Sequence, residues 1–233
     1  DRTLLLSVPS SMFDELAIAQ LVSEIVREYA GGNAAADPAD AEALQYVDYS
    51  EWQRELLDSE LGREGTTFWQ GLLARDPARR LPFERSGGVA RTAAVRQLPG
   101  AALAEPLAKL EKALQAERRE VLCFVWAAFL QRLLEADTVT LAYTSERRRE
   151  ELAGVLGRFV KRLPVPCVFE PSASVQEAFG RVRSQLAQCT AWEECLNERW
   201  LLDAPGGAGD CEMLGFKYRR AGSAARTRPS PSP

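Results

Sequence analysis

The chain has 233 residues, 46% of them apolar, with 29 basic and 33 acidic side chains giving a formal charge of −4, and no histidine. That length can bury one large core or two small ones, and the acidic balance argues against a nucleic-acid partner, which would need a basic face. The longest apolar runs are far short of the roughly 20 residues of a membrane span, and no secretory leader is expected at a start that opens two residues ahead of a strand, as a piece of a longer domain would.

Leu4 to Val8 reads as an apolar strand. Beyond it, Ile18, Leu21, Val22, Ile25, Val26 and Tyr29 recur at helical spacing and predict an amphipathic helix. Asp14 stands in or just before its first turn, where a carboxylate suits the helix N-terminus. Gly31-Gly32-Asn33 stops the helix, and residues 32–43 read as an exposed loop. Two helices follow, about Tyr49 to Leu61 and Glu64 to Arg75, striped with Trp52, Leu56, Phe68, Trp69, Leu72 and Leu73, and Pro77 ends the second.

Residues 84–91 form a polar connector and Thr92 to Leu98 a weakly alternating strand. Pro106 to Gln115 and Val121 to Leu134 are helices, the second apolar nearly all round and therefore expected to be central and buried. Thr138 to Thr144 reads as a core strand. Arg162 to Phe169 is extended, with Pro164 and Pro166 confining it to a sheet edge or irregular pairing. Val175 to Cys189 is amphipathic helix, a Trp-containing helix covers about Ala191 to Leu201, and Met213 to Tyr218 is a last short strand. Ala221 to Pro233 has the composition of a disordered tail or linker. Strands mixed with helices in this way give an α/β or α+β class.

The five cysteines, Cys123, Cys167, Cys189, Cys195 and Cys211, include no Cys-x-x-Cys pair, and without histidine no mixed metal site can be built. An odd number in an acidic chain favours reduced structural thiols in a cytosolic setting. The glycines of Pro205-Gly206-Gly207-Ala208-Gly209 lack the strand-turn-helix context and the Lys-Ser/Thr of a phosphate loop. Trp52 and Trp69 sit on helical stripes as core anchors rather than as a stacking platform.

Pro9-Ser10-Ser11-Met12-Phe13-Asp14-Glu15, between the first strand and first helix, resembles the His-His-x-x-x-Asp-Gly loop of the nonribosomal peptide synthetase condensation domain. Pro9 and Ser10 stand at the histidine positions, Asp14 keeps the aspartate, and Glu15 replaces the glycine. Tyr46-Val47-Asp48-Tyr49-Ser50-Glu51-Trp52-Gln53-Arg54 is similar to that family's Tyr-x-Asp-Tyr-x-x-Trp-Gln-Arg signature. Phe68 to Leu73, Leu81-Pro82, and the block Glu146-Arg147-Arg148-Arg149-Glu150-Glu151-Leu152 with Gly154 and Gly157-Arg158-Phe159-Val160 continue the resemblance in order; Glu146 stands where the block's glycine would. The later His/Gln-Asp-x-Pro-Phe-Glu motif has no clean counterpart, its neighbourhood being Trp192-Glu193-Glu194-Cys195.

The resemblance implies one lobe of chloramphenicol-acetyltransferase type, a mixed, mainly antiparallel sheet flanked by helices, with residues 1–220 as a C-terminal condensation-domain lobe and 221–233 as tail or linker. It implies no bound cofactor or metal, acyl groups arriving on the phosphopantetheine arms of acyl or peptidyl carrier proteins, and an N-terminal lobe in the same or another polypeptide, in the cytoplasm. It makes Asp14 a structural residue paired with Arg147, and puts Ser10 where the family's general base or positioning histidine stands. Serine cannot take a proton unaided at neutral pH, and a nucleophilic serine needs a neighbouring base and an orienting acid. The plain alternative for Ser10 is a small polar residue ending a strand. Arg148 and Arg149 are candidates to meet a carrier protein or a pantetheine phosphate, against the alternative of a solvated charge run. Three functions stand at this point: a condensation-type domain with impaired or altered amide- or ester-forming chemistry, a non-catalytic scaffold docking carrier or partner domains, and an acyltransferase acting on a soluble thioester.

Overall fold

The helices begin where side chains can satisfy their first free amides. Asp14 caps α1 (Glu15–Tyr29), its carboxylate accepting the Ala17 N–H at 2.8 Å. At the head of α2 (Tyr46–Asp58) the Asp48 carboxylate reaches back to the Gln45 N–H at 2.7 Å. Glu120 does the same for the Glu117 N–H at the start of α5 (Arg118–Leu134), and Ser174 with Glu177 opens α6 (Val175–Ala191). Between these lie α3 (Glu60–Leu73) and α4 (Gly100–Leu114), and α7 (Arg199–Asp203) follows. The computed structural model describes residues 3–30, 44–74, 100–203 and 214–219.

The chain divides into two compact units. One gathers Asp1–Arg63, Ser145–Lys161 and the segment from Arg219. Its core is Tyr49, Leu152, Val155 and Phe159, with Trp52 against them. The other holds Glu64–Thr144 and Arg162–Tyr218, with three strands, β1 (Thr138–Ser145), β2 (Lys161–Val168) and β3 (Leu214–Phe216), reaching into or lying within it.

The strand order among the described residues is β2-β1-β3, with Leu141, Ala142 and Tyr143 of β1 registered on Leu214, Gly215 and Phe216 of a parallel β3. The Phe169 N–H, just past β2, donates to the carbonyl of Asp137, just before β1, at 2.8 Å. That closes β2 and β1 in the antiparallel sense, so the small sheet is mixed. Central β1 is buried at most positions, whereas β2 lies at an edge, where the missing amides of Pro164 and Pro166 cost no ladder bond. Helix α5 packs against α4 and α6, with the Phe124 and Phe179 rings edge to face at 5.5 Å. Helices flanking a mixed sheet are the α/β arrangement expected.

Several sequence expectations are corrected. Leu4 to Val8 forms no strand: residues 3–9 have no ladder partner among the described residues, and Leu5 is 89% exposed. Apolar character makes a strand only where a sheet edge receives it. Helix α2 starts three residues earlier than expected because Asp48 caps it, and α4 starts at Gly100 with Pro106 inside it. The expected Trp helix over 191–201 is broken: α6 runs to Ala191, a 3-10 turn spans Glu193–Cys195, and α7 begins at Arg199. Helix α5 buries Val121, Cys123, Phe124, Ala127 and Leu130 but leaves Val125 and Phe129 exposed, so it is not buried all round.

The expected loop over 32–43, connector 84–91, strand 92–98 and tail 221–233 lie outside the described residues. The thiols of Cys123, Cys167, Cys189 and Cys195 are free and buried; burial pushes Cys123 up to about 12 and Cys189 up to about 11, which keeps both protonated at neutral pH. Cys211 lies outside the described residues.

Candidate functional site

The loop from Pro9 to Glu15 is held by its carbonyl end and its aspartate. The Pro9 carbonyl accepts the Met12 N–H at 3.0 Å and the Phe13 N–H at 3.3 Å, folding residues 9–13 into a turn. Ser10 is on the outside of this turn, exposed, and makes no side-chain hydrogen bond among the described residues. Among the described residues no base or acid is hydrogen-bonded to it, as a nucleophilic serine would require.

Asp14 is the buried end, its side chain 3% exposed. One oxygen accepts the Ala17 N–H at 2.8 Å, the other the Phe159 N–H at 2.9 Å, and both lie within 3.1 Å of Nη2 of Arg148. Arg148 in turn donates from Nη1 to the Val155 carbonyl at 2.9 Å and lies over the Phe159 ring, 4.4 Å from its centroid. Burial by itself would raise the carboxyl pKa, but the Phe159 amide, the Ala17 amide and the Arg148 guanidinium outweigh it and hold Asp14 below its ordinary value of 3.8.

A carboxyl depressed in the folded state stabilises fully above its unfolded pKa, and that stability is lost as pH falls through the folded value. Urea midpoints measured downward from pH 5 should therefore fall more steeply in the natural chain than in Asp14→Asn, which has no such proton to take up.

The guanidinium on Asp14 belongs to Arg148 and not to the Arg147 that the motif implied. Beyond β1 the burial alternates, Glu146 and Arg148 turned inward and Arg147 and Arg149 exposed. In extended chain a shift of one residue moves a side chain to the opposite face. The same alternation corrects Arg148 as a carrier contact, since its guanidinium is 10% exposed and committed to Asp14 and Val155. Arg149 is exposed, with its guanidinium 4.1 Å above the Trp52 ring.

The other motif residues converge on this frame. Tyr46 donates its hydroxyl hydrogen to the Arg158 carbonyl at 3.0 Å, and its ring lies edge to face with Phe159 at 5.3 Å. Gly157 is required by that approach, because a Cβ there would fall 2.6 Å from Tyr46 Cε2. Asp48 is spent on the α2 cap. Glu15 and Glu146, the two acids at motif glycine positions, both pair with Arg219, Glu146 at 3.6 Å. Sequence reasoning missed that arginine, although two acids standing at glycine positions were a signal that a cation meets them. In the other unit, the late motif's neighbourhood is packing: Trp69 Nε1 donates to the Trp192 carbonyl at 2.7 Å, and Gly65 leaves room for Cys195 and Trp192. No group of three or more Cys, Asp or Glu that could hold a metal occurs among the described residues.

The profile of the family described as "Condensation domain" matches residues 4–193. The chain is 30% identical over 167 residues to phosphinothricin tripeptide synthetase PhsC of Streptomyces viridochromogenes, covering 69% of this chain and 15% of that protein. Its fold is similar to the first condensation domain of the calcium-dependent antibiotic synthetase, solved with a substrate analogue, at a TM-score of 0.67 and 22% identity over 90% of this chain and 50% of that one. It is also similar to the X-domain from teicoplanin biosynthesis, solved in complex with OxyB, at a TM-score of 0.64 and 18% identity over 84% of this chain and 46% of the other. The chain belongs to the condensation-domain family. It spans about a seventh of that curated relative and about half of those solved chains.

Proposed function

We propose that this chain serves as part of a condensation domain in an assembly-line peptide or hybrid synthetase, with its amide- or ester-forming chemistry impaired or altered. The observation that carries the reading is the contrast within one loop. Asp14 keeps a hydrogen-bonded frame with Arg148 and Phe159, while Ser10, at the motif's histidine position, stands exposed with no side-chain hydrogen bond among the described residues. Family membership supports acyl groups delivered on the phosphopantetheine arms of carrier proteins in the cytoplasm, residues 1–220 acting as the domain piece and 221–233 as a linker. Arg149, exposed beside Trp52, is the retained candidate for a carrier contact; Arg147, exposed on the same side, joins it.

The test is a condensation assay with loaded carrier proteins. A general base contributes typically about 10²–10⁴-fold, so if Ser10 handles no proton, Ser10→Ala should leave the rate within about twofold. A hundredfold loss would overturn the reading. The second reading, a non-catalytic docking platform, is favoured by the X-domain, a fold neighbour solved bound to OxyB. It predicts no condensation by the natural chain or by Ser10→His, with carrier binding intact.

A further inference from the structure

Strand β3 has little of its own to hold it. It is three residues long, pairs parallel with β1, and lies at an edge of the sheet among the described residues. Leu214, Phe216 and Tyr218 are half-buried, and Gly215, Lys217 and Arg219 alternate with them as exposed residues. Parallel pairing is the weaker kind per residue, and a glycine at the centre of a strand brings no side chain to pack. Register is poorly fixed as well, since a slip of two residues keeps every side chain on its own face.

Two cross-strand contacts make up for this. The rings of Tyr143 and Phe216, which are register partners, stack at 6.1 Å with their planes 19° apart. Continued past the strand ends, the same register sets Glu146 opposite Arg219, and these two form the ion pair at 3.6 Å. Positions an odd number of residues apart along extended chain face opposite sides, so the ring pair and the ion pair grip the two strands from opposite faces. Glu15, in the first turn of α1, meets the same Nη2 of Arg219. One cation therefore stands between two anions, and without it the two carboxylates would face each other as like charges. Both acids stand where the motif has glycine, so this contact belongs to the present chain and not to the motif. The side chains of Arg219, Glu15 and Glu146 are 40%, 60% and 21% exposed, which leaves the attraction open to screening by salt.

We propose that Arg219, gripped by Glu146 and Glu15, is a salt-sensitive latch that keeps residues 214–219 on the edge of β1. The chain runs unbroken from β1 into Glu146 and from β3 to Arg219, so the pair fastens the two strand ends to each other. With the latch open, the segment leaves as a strap while the rest of the fold stays in place, and the edge of the central strand is bared for pairing.

The experiment uses the whole 233-residue chain and amide hydrogen exchange read segment by segment. In low salt the amides of residues 214–216 should be protected. Sodium chloride at about 1 M, which screens charges beyond about 3 Å, should speed their exchange about fivefold and leave the amides of β2 at their own rate. Arg219→Glu should speed exchange at 214–216 by more than about tenfold in low salt. Salt should then slow it, because screening now relieves repulsion instead of attraction. In a Glu15→Gln/Glu146→Gln background, Arg219→Ala should add less than about twofold, since no anion is left for the arginine to hold. Amides at 214–216 that are unprotected in low salt, or that ignore salt in the natural chain, overturn the latch. So does a salt response of the same sign in Arg219→Glu, or an acceleration shared equally by β2, which would mean that the whole sheet loosens.

Discussion

Arg148→Ala should destabilise the unit around Asp14 by about 3–5 kcal/mol, because it leaves a buried carboxylate without its cation. The Asp14 side chain is 3% exposed, so water cannot replace the lost partner, and the Val155 carbonyl loses its donor in the same step. Asp14→Ala should cost a similar amount, since the Ala17 and Phe159 amides and the guanidinium all lose an acceptor. Arg147→Ala should cost less than about 1 kcal/mol, as expected for an exposed charge. Urea denaturation followed by far-ultraviolet dichroism separates the two arginines. Equal losses at 147 and 148 would contradict the frame described above.

Gly157→Ala should cost about 1–3 kcal/mol through overpacking. The new methyl would overlap the Tyr46 ring, and that ring is anchored at both ends, by its hydroxyl on the Arg158 carbonyl and by its edge contact with Phe159. A ring so held cannot swing away without giving up those contacts. Tyr46→Ala, destabilising by itself, should make the later Gly157→Ala change nearly neutral. A double-mutant cycle with thermal melts reads that coupling, and simple additivity of the two losses would rule the clash out.

What the sequence showed of this molecule follows the range of the interactions involved. Helices were legible because 3.6-residue stripes and local caps are encoded within a turn, as with Asp14 before α1. The Leu4–Val8 strand was misread because a strand exists only with a neighbour, and none lies beside it among the described residues. The choice between Arg147 and Arg148 turns on the register of an extended segment, where a slip of one residue exchanges faces. The Arg219 pairing and the Tyr46–Gly157 contact join residues far apart in sequence, and only the folded chain brings them together.

The polar frame of the loop has an economy that bears on how such a chain can change. Among the described residues, Asp14 and Arg148 supply its side-chain hydrogen-bonding groups; their remaining partners are the main-chain amides of Ala17 and Phe159 and the carbonyls of Val155 and Gly157. Main-chain groups are supplied by any codon other than proline's at the donor positions. Two side chains therefore carry its hydrogen bonds, with Gly157 and the Phe159 ring shaping the space around them, and no side chain from positions 9 to 12 takes part in it. Substitution at positions 9 to 12 and upkeep of the frame are therefore separable in this loop, and a gene could pass through the first without selection on the second registering it.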